Sequence, residues 1–176
     1  MPSSTNTFKD VMYEHIRTVV LEHLPYRNKI LDVGAGIGVW GSNLQDLHID
    51  ALEIHEPYIK EYGLHRYYNN VIVGDILNFD YDDYDYIIIG DVLEHIKVEP
   101  AQKLIKDITS KGIKCMVAVP YLHEQGAVGG VESEIHHQPD LTPRIMKSRY
   151  PDLEVFLSTN IVHGYAYYTN YIKWVK

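Results

Sequence analysis

The stretch Ile30-Leu31-Asp32-Val33-Gly34-Ala35-Gly36-Ile37-Gly38-Val39-Trp40-Gly41 decides how the rest of the chain is read. An apolar run passes into glycines at alternate positions, and helix-compatible residues follow. Glycine lacks a Cβ, so it permits a tight turn and lets a ligand lie against the backbone. A helix start leaves backbone N–H groups without intrahelical partners. A strand, a glycine turn and a helix in this order point to a nucleotide-type pocket.

The carboxylates downstream narrow the choice. Ala51-Leu52-Glu53 reads as the end of a second strand. An acid about 20 residues past the glycines can accept hydrogen bonds from ribose hydroxyls. Val71-Ile72-Val73-Gly74-Asp75-Ile76 reads as a third strand ending in an acid. Tyr86-Ile87-Ile88-Ile89-Gly90-Asp91 is a fourth, and it runs into Val92-Leu93-Glu94-His95. Asp32, Glu53, Asp75 and Asp91 thus fall at or near the C-terminal ends of four successive strands. In a parallel sheet those ends line the ligand crevice. One such Asp alone is equally well explained as a helix cap; four in register are not.

The remaining pattern alternates strand and helix. Val11, Ile16, Val19, Val20 and Leu24 recur at helical spacing and predict a helix from Thr7 to His23. Strands are expected at Lys29 to Val33, Asp50 to Ile54, Val71 to Val73, Tyr84 to Ile89 and Ile113 to Val119. Helices are expected at about Val39 to Leu47, at Pro57 to about Leu64, and from Glu99 to Gly112. Such alternation implies parallel strands joined by crossovers. Tyr121 to Pro139 reads as a long loop of the kind that covers binding sites. Pro143 to Arg149 reads as a short helix, and Leu153 to Leu157 with Tyr165 to Val175 as a terminal pair of strands.

These motifs resemble those of class I S-adenosylmethionine-dependent methyltransferases. Leu31-Asp32-Val33-Gly34-Ala35-Gly36-Ile37-Gly38 resembles the family's first motif. Glu53 matches its ribose-binding acid, and Gly74-Asp75-Ile76 its adenine-contacting segment. Asp91-Val92-Leu93-Glu94-His95 resembles its strand-four motif. The resemblance covers about Lys29 to Pro120. It implies an α/β fold, doubly wound, with a mostly parallel seven-stranded sheet and helices on both faces. It implies S-adenosylmethionine as cofactor, held by Asp32, Gly34, Ala35, Gly36, Gly38, Glu53, Asp75, Ile76 and Asp91. By analogy with related enzymes, Tyr13 and the first helix are expected to close over the cofactor. Gly36-x-Gly38-x-x-Gly41 also fits a dinucleotide pattern, but the chain leaves no room for a separate catalytic domain beside a complete dinucleotide fold. The alternatives are a non-catalytic cofactor-binding subunit, from another class, and an RNA-end 2′-O-methyltransferase.

Methyl transfer from a sulfonium asks the protein mainly for alignment. A base is needed only where the acceptor is still protonated when it attacks. Imidazole has an intrinsic pKa near 6.5 and can take that proton at neutral pH. His95, just after strand four, and His136 and His137, in the long loop, are the candidate catalytic residues. Asp91-x-x-Glu94-His95 with His136-His137 also resembles the Glu-x-x-Glu-His plus distal His metal site of small-RNA 3′-end 2′-O-methyltransferases, with Asp91 in place of the first Glu. Because Val-Leu-Glu-His is common in metal-free class I enzymes, no metal is expected.

Bulk composition agrees with this reading. The 176 residues carry a formal net charge of −8 and no Lys/Arg cluster, which disfavours an extended nucleic-acid partner. A small-molecule or sugar- or nucleotide-linked acceptor, methylated on O or N, is expected. No apolar run reaches the ~18 residues of a membrane-spanning helix. The first seven residues lack the basic and apolar regions of a signal peptide, so one cytoplasmic domain over residues 1–176 is expected. The lone Cys115 sits in a buried-strand pattern and reads as a core thiol. Tyrosine is abundant, 15 residues, and Tyr165 to Tyr171 is a candidate aromatic wall for a planar acceptor.

Overall fold

The segment Lys29–Val33 forms an interior strand, β1, because Ile30 and Val33 are apolar and the following glycines end the extended run. The computed structural model describes residues 6–23, 29–158 and 165–170. The other strands are β2 (His48–Glu53), β3 (Val71–Val73), β4 (Tyr86–Gly90), β5 (Lys114–Pro120), β6 (Glu154–Ser158) and β7 (Tyr165–Thr169). They form a seven-stranded sheet in the order β3-β2-β1-β4-β5-β7-β6. Strands β1 to β5 pair in parallel, whereas β7 is antiparallel to both β5 and β6. The expected doubly wound, mostly parallel α/β sheet is therefore present. The last residues of the expected terminal strand, 171–175, lie outside the described residues, as does Leu24.

Helices are α1 (Asn6–His23), α2 (Val39–Asn43), α3 (Glu56–Glu61), α4 (Val98–Ser110) and α5 (Pro143–Arg149). Side chains alternate across a strand, and here both faces are apolar. Leu31, Ile87, Cys115 and Val117 pack with Leu104, Ile105 and Ile108 of α4 and Met146 of α5. Ile30, Ile88 and Met116 pack on the other face with Met12, Ile16, Val19 and Val20 of α1. Cys115 is the buried core thiol its strand pattern implied, its pKa pushed up to about 12 by burial. Among the described residues no helix is long and apolar enough to cross a membrane.

Helix α2 and strand β4 are shorter than their sequence patterns, as is α3, which ends at Glu61 rather than about Leu64. Helix α2 ends at Asn43 rather than Leu47. Ser42 Oγ and Asn43 Nδ2 both donate to the Val39 carbonyl, at 3.0 and 2.7 Å. Such local bonds compete with helix continuation. Strand β4 starts at Tyr86, because Tyr84 closes a turn onto Tyr81 and donates its hydroxyl to Asp50 at 2.9 Å.

Candidate active site

The C-terminal ends of the parallel strands open into a cleft of about 500 Å³. At its first end lies the glycine turn. Gly34 and Gly36 both have positive φ, 65° and 49°. A Cβ on Gly34 would come within 2.3 Å of Val92 Cγ2, so the turn after β4 crosses directly over it. The Gly36 N–H donates to Glu53 Oε2 at 2.9 Å, and the His55 N–H to Glu53 Oε1 at 2.8 Å. Burial raises the Glu53 pKa, and these two N–H groups oppose the shift. Gly34, Ala35, Gly36, Glu53, Asp75, Ile76 and Asp91 all line the cleft. Asp75 is anchored by its own turn, accepting from the Leu77 N–H at 2.9 Å. Asp91 has φ 56°, a left-handed conformation that non-glycine residues rarely take and that clusters at functional sites.

Two of the residues expected to bind the cofactor do not reach the cleft wall. Asp32 follows Ile30 by two positions and so faces the α1 side of the sheet, fully buried. Tyr68 Oη donates to its Oδ2 at 2.5 Å and accepts from the Gly41 N–H at 3.1 Å. Burial pushes Asp32 up to about 8. Gly38 is the N-cap of α2, with φ 79°, packed under Tyr67. Tyr13 is likewise behind the wall. Its ring meets Trp40 edge-on at 5.3 Å between centroids, and Trp40 rather than Tyr13 lines the cleft.

The opposite end is built from the turn after β4 and the loop after β5. His95, His136 and His137 all line it, so the structure brings the three candidate histidines into one cleft. Leu93–His95 is a single 3-10 turn. The loop docks on it through backbone: His137 and Gln138 N–H groups both donate to the Glu94 carbonyl, at 2.8 and 3.1 Å. Gln138 Nε2 caps the Leu93 and Ile96 carbonyls at 2.9 Å each. The His95 and His136 rings meet edge-on at 4.7 Å. Burial lowers the pKa of both, and each is affected further by a neighbouring histidine. Glu94 is buried, and burial with the nearby Asp91 raises its pKa well above the ordinary carboxyl value.

Tyr58 and Tyr62 of α3 and its C-terminal edge also line the cleft. Sequence reasoning missed them. Tyr58 Oη donates to Glu134 Oε1 at 3.2 Å, tying α3 to the loop. The available signal was position, since both follow directly on Glu53 at the end of β2. Of the tyrosine cluster, Tyr167 lines the cleft, whereas Tyr168 is buried with its hydroxyl 2.6 Å from that of Tyr121. Tyr171 lies outside the described residues.

No protein-family model matches the chain, and no curated protein matches it in sequence. Solved structures do match in fold. The N-methyltransferase NodS from Bradyrhizobium japonicum WM9 superposes with a TM-score of 0.60 at 12% identity, over 94% of this chain and 97% of that one. The DhpI–SAM–HEP complex matches with 0.60 at 15% identity, over 95% and 99%. The O-methyltransferase NcsB1 from neocarzinostatin biosynthesis, in complex with S-adenosyl-L-homocysteine and 1,4-dihydroxy-2-naphthoic acid, matches with 0.56 at 14% identity, over 94% of this chain and 57% of that one. Strand order, glycine turn and these neighbours agree: the chain has the fold of the class I S-adenosylmethionine-dependent methyltransferases.

Proposed function

We propose that this protein is an S-adenosylmethionine-dependent methyltransferase acting on O or N of a small acceptor. The observation that carries the reading is a cleft with two chemically distinct ends: Glu53 bonded to the Gly36 N–H at one, and His95, His136 and His137 at the other. The cofactor belongs at the first end, against Gly34, Ala35 and Gly36, with Glu53 accepting from ribose hydroxyls and Asp75 with Ile76 beside the adenine. Asp91 stands between the two ends. Asp32 and Gly38 support this end from behind. When bound, the cofactor supplies a methyl group activated on a sulfonium.

The protein's own work is alignment and proton handling. Gln125, Val128, Glu134 and His136 from the loop line the cleft, and Glu134 reaches across it to the Tyr58 hydroxyl. A lowered pKa keeps the His95 and His136 imidazoles neutral at neutral pH. A neutral imidazole within reach of the acceptor takes its proton as the new bond to carbon forms. The lining carries Glu53, Asp75, Asp91, Glu94, Glu132 and Glu134 against Lys97 as its Lys or Arg. That field repels polyanions and favours a small neutral or cationic acceptor. NcsB1 and NodS, similar in fold, are an O- and an N-methyltransferase.

Titration calorimetry with S-adenosylhomocysteine and with NAD tests the cofactor. Binding of the first and not the second is expected; the reverse makes the chain a dinucleotide enzyme. A methyl-transfer screen against metabolite and RNA pools then tests turnover. Tight cofactor binding with no acceptor methylated would mark a non-catalytic subunit.

A further inference from the structure

Glu94, His95 and His136 are each held so that one ligating atom is left over. Glu94 is 1% exposed, and its Oε2 has no hydrogen-bond partner among the described residues. A buried acceptor without a partner is destabilising and calls for a reason. His95 Nδ1 lies 3.3 Å from the Ile135 carbonyl, and His136 Nδ1 lies 2.8 Å from the His123 carbonyl. A carbonyl only accepts, so Nδ1 carries the proton in both rings and Nε2 presents a lone pair. This is how histidines that bind metals are oriented from behind. One ligand atom from each of the three residues lies within 4.8 Å of the others.

We infer that Glu94, His95 and His136 form a binding site for a divalent transition-metal ion. Two imidazoles and one carboxylate suit zinc, cobalt or iron rather than magnesium or calcium, which prefer all-oxygen sets. Three protein ligands leave a coordination position open, and the cleft lies beside it. Donors about 2.1 Å from a tetrahedral ion stand about 3.4 Å apart, so binding draws the three inward. The set is narrower than the spacing suggests. Asp91 does not belong to it, and His137 contributes its backbone N–H to the Glu94 carbonyl while its side chain is exposed. With the ion in place, His137 is the histidine left in the cleft to accept a proton. Because Glu94 and His95 come from the turn after β4 and His136 from the loop, the ion also pins that loop shut. The site is independent of which cofactor fills the glycine end.

The untagged full chain, stripped with chelator, is titrated with Co²⁺ and read by visible absorption, then back-titrated with Zn²⁺. One equivalent of Co²⁺ should give a d–d band that one equivalent of Zn²⁺ removes. Zinc should also slow limited proteolysis between Tyr121 and Pro139. Glu94→Gln and His136→Ala should each weaken binding by more than about 100-fold, the upper end of what outer-shell changes cost, and His137→Ala should leave it intact. Where Glu94→Gln fails to fold by circular dichroism, His136→Ala decides. A folded wild-type chain that takes up no stoichiometric ion overturns the site. So does binding that survives His136→Ala, or that His137→Ala abolishes. Cofactor affinity is read separately with S-adenosylhomocysteine, so failure of one reading does not touch the other.

Discussion

The backbone N–H of Gly36 donates to Glu53 Oε2 at 2.9 Å, which makes Glu53 a splint for the glycine turn as well as part of the pocket wall. Its second oxygen is held by the His55 N–H. Each oxygen keeps a further lone pair for a ribose hydroxyl. Charge-assisted bonds of this kind contribute about 1.5–3 kcal/mol each. Glu53→Ala should therefore weaken S-adenosylhomocysteine binding by at least about tenfold, since 1.4 kcal/mol is a factor of ten. Glu53→Gln should recover part of the loss, because its amide has one accepting oxygen instead of two. Calorimetry on both variants checks this. Wild-type affinity in a folded Ala variant would place the ribose elsewhere.

Two of the cleft glycines, Gly34 and Gly36, should respond differently to a methyl group. Both Gly34 and Gly36 have left-handed φ, which costs an alanine about 1–2 kcal/mol. A Cβ on Gly36 would meet little, its nearest neighbour being the Gly34 carbonyl at 3.7 Å. One on Gly34 would strike Val92 Cγ2 at 2.3 Å. Overpacking adds about 1–3 kcal/mol. Gly34→Ala should thus destabilise the chain more than Gly36→Ala, and Val92→Ala in the same chain should remove the excess. A denaturant double-mutant cycle measures that coupling. Equal costs at the two glycines would show that the turn after β4 does not press on Gly34.

What could be read in advance follows from range. The apolar run ending in Gly34 and the acids after β2, β3 and β4 are local signals, and each stands where a parallel sheet puts it. Helix α5 begins at Pro143 as expected, because Thr142 caps it by accepting from the Ile145 N–H at 3.2 Å. Asp32 stands apart from the cleft lining because the motif marks the end of a strand but not which face a side chain takes. Its parity with Ile30 sets the face, and Tyr68 satisfies it from a distant segment. The docking of the loop by Gln138 had no local mark, since its partners Leu93 and Ile96 are far away in sequence. The convergence of Glu94, His95 and His136 is long-range in the same sense: the Glu-His pair is visible, the partner in the loop is one choice among several histidines.

Asp32 should make the fold less stable as pH rises. Its carboxyl is pushed up to about 8, mainly by burial, from an ordinary 3.8. Between those values the unfolded chain has lost the proton and the folded chain keeps it. Fewer protons on the unfolded state mean that unfolding free energy falls with pH, by at most about 1.4 kcal/mol per unit. The contribution is fully favourable below about pH 4 and lost once pH passes about 8. Asp32→Asn keeps an oxygen for the Tyr68 hydroxyl and removes the titration. Urea unfolding at pH 5, 6, 7 and 8 should give a flatter profile for the variant than for wild type. Identical slopes would show that Asp32 is charged within the fold.

Turnover and cofactor affinity should separate at the histidine end of the cleft. His95, His136 and His137 line the end away from Glu53, so their removal should leave the cofactor's contacts in place. His95→Ala, and the double change His136→Ala with His137→Ala, should each cut turnover by roughly 10²–10⁴-fold, the range assigned to a positioned acid or base. Affinity for S-adenosylhomocysteine should stay within about twofold of wild type, well under the tenfold that 1.4 kcal/mol represents. His137→Ala alone then tells which group takes the proton. A large loss in that single variant, with metal uptake unchanged, assigns proton transfer to His137 and ion binding to its neighbours. Chelator gives the complementary reading. Activity lost on chelation and restored by Zn²⁺ or Co²⁺ requires the ion, whereas activity indifferent to chelator leaves an imidazole as the base. Histidine variants that lose cofactor affinity and turnover together would mean that this end of the cleft holds the cofactor, and the assignment of the two ends would be reversed.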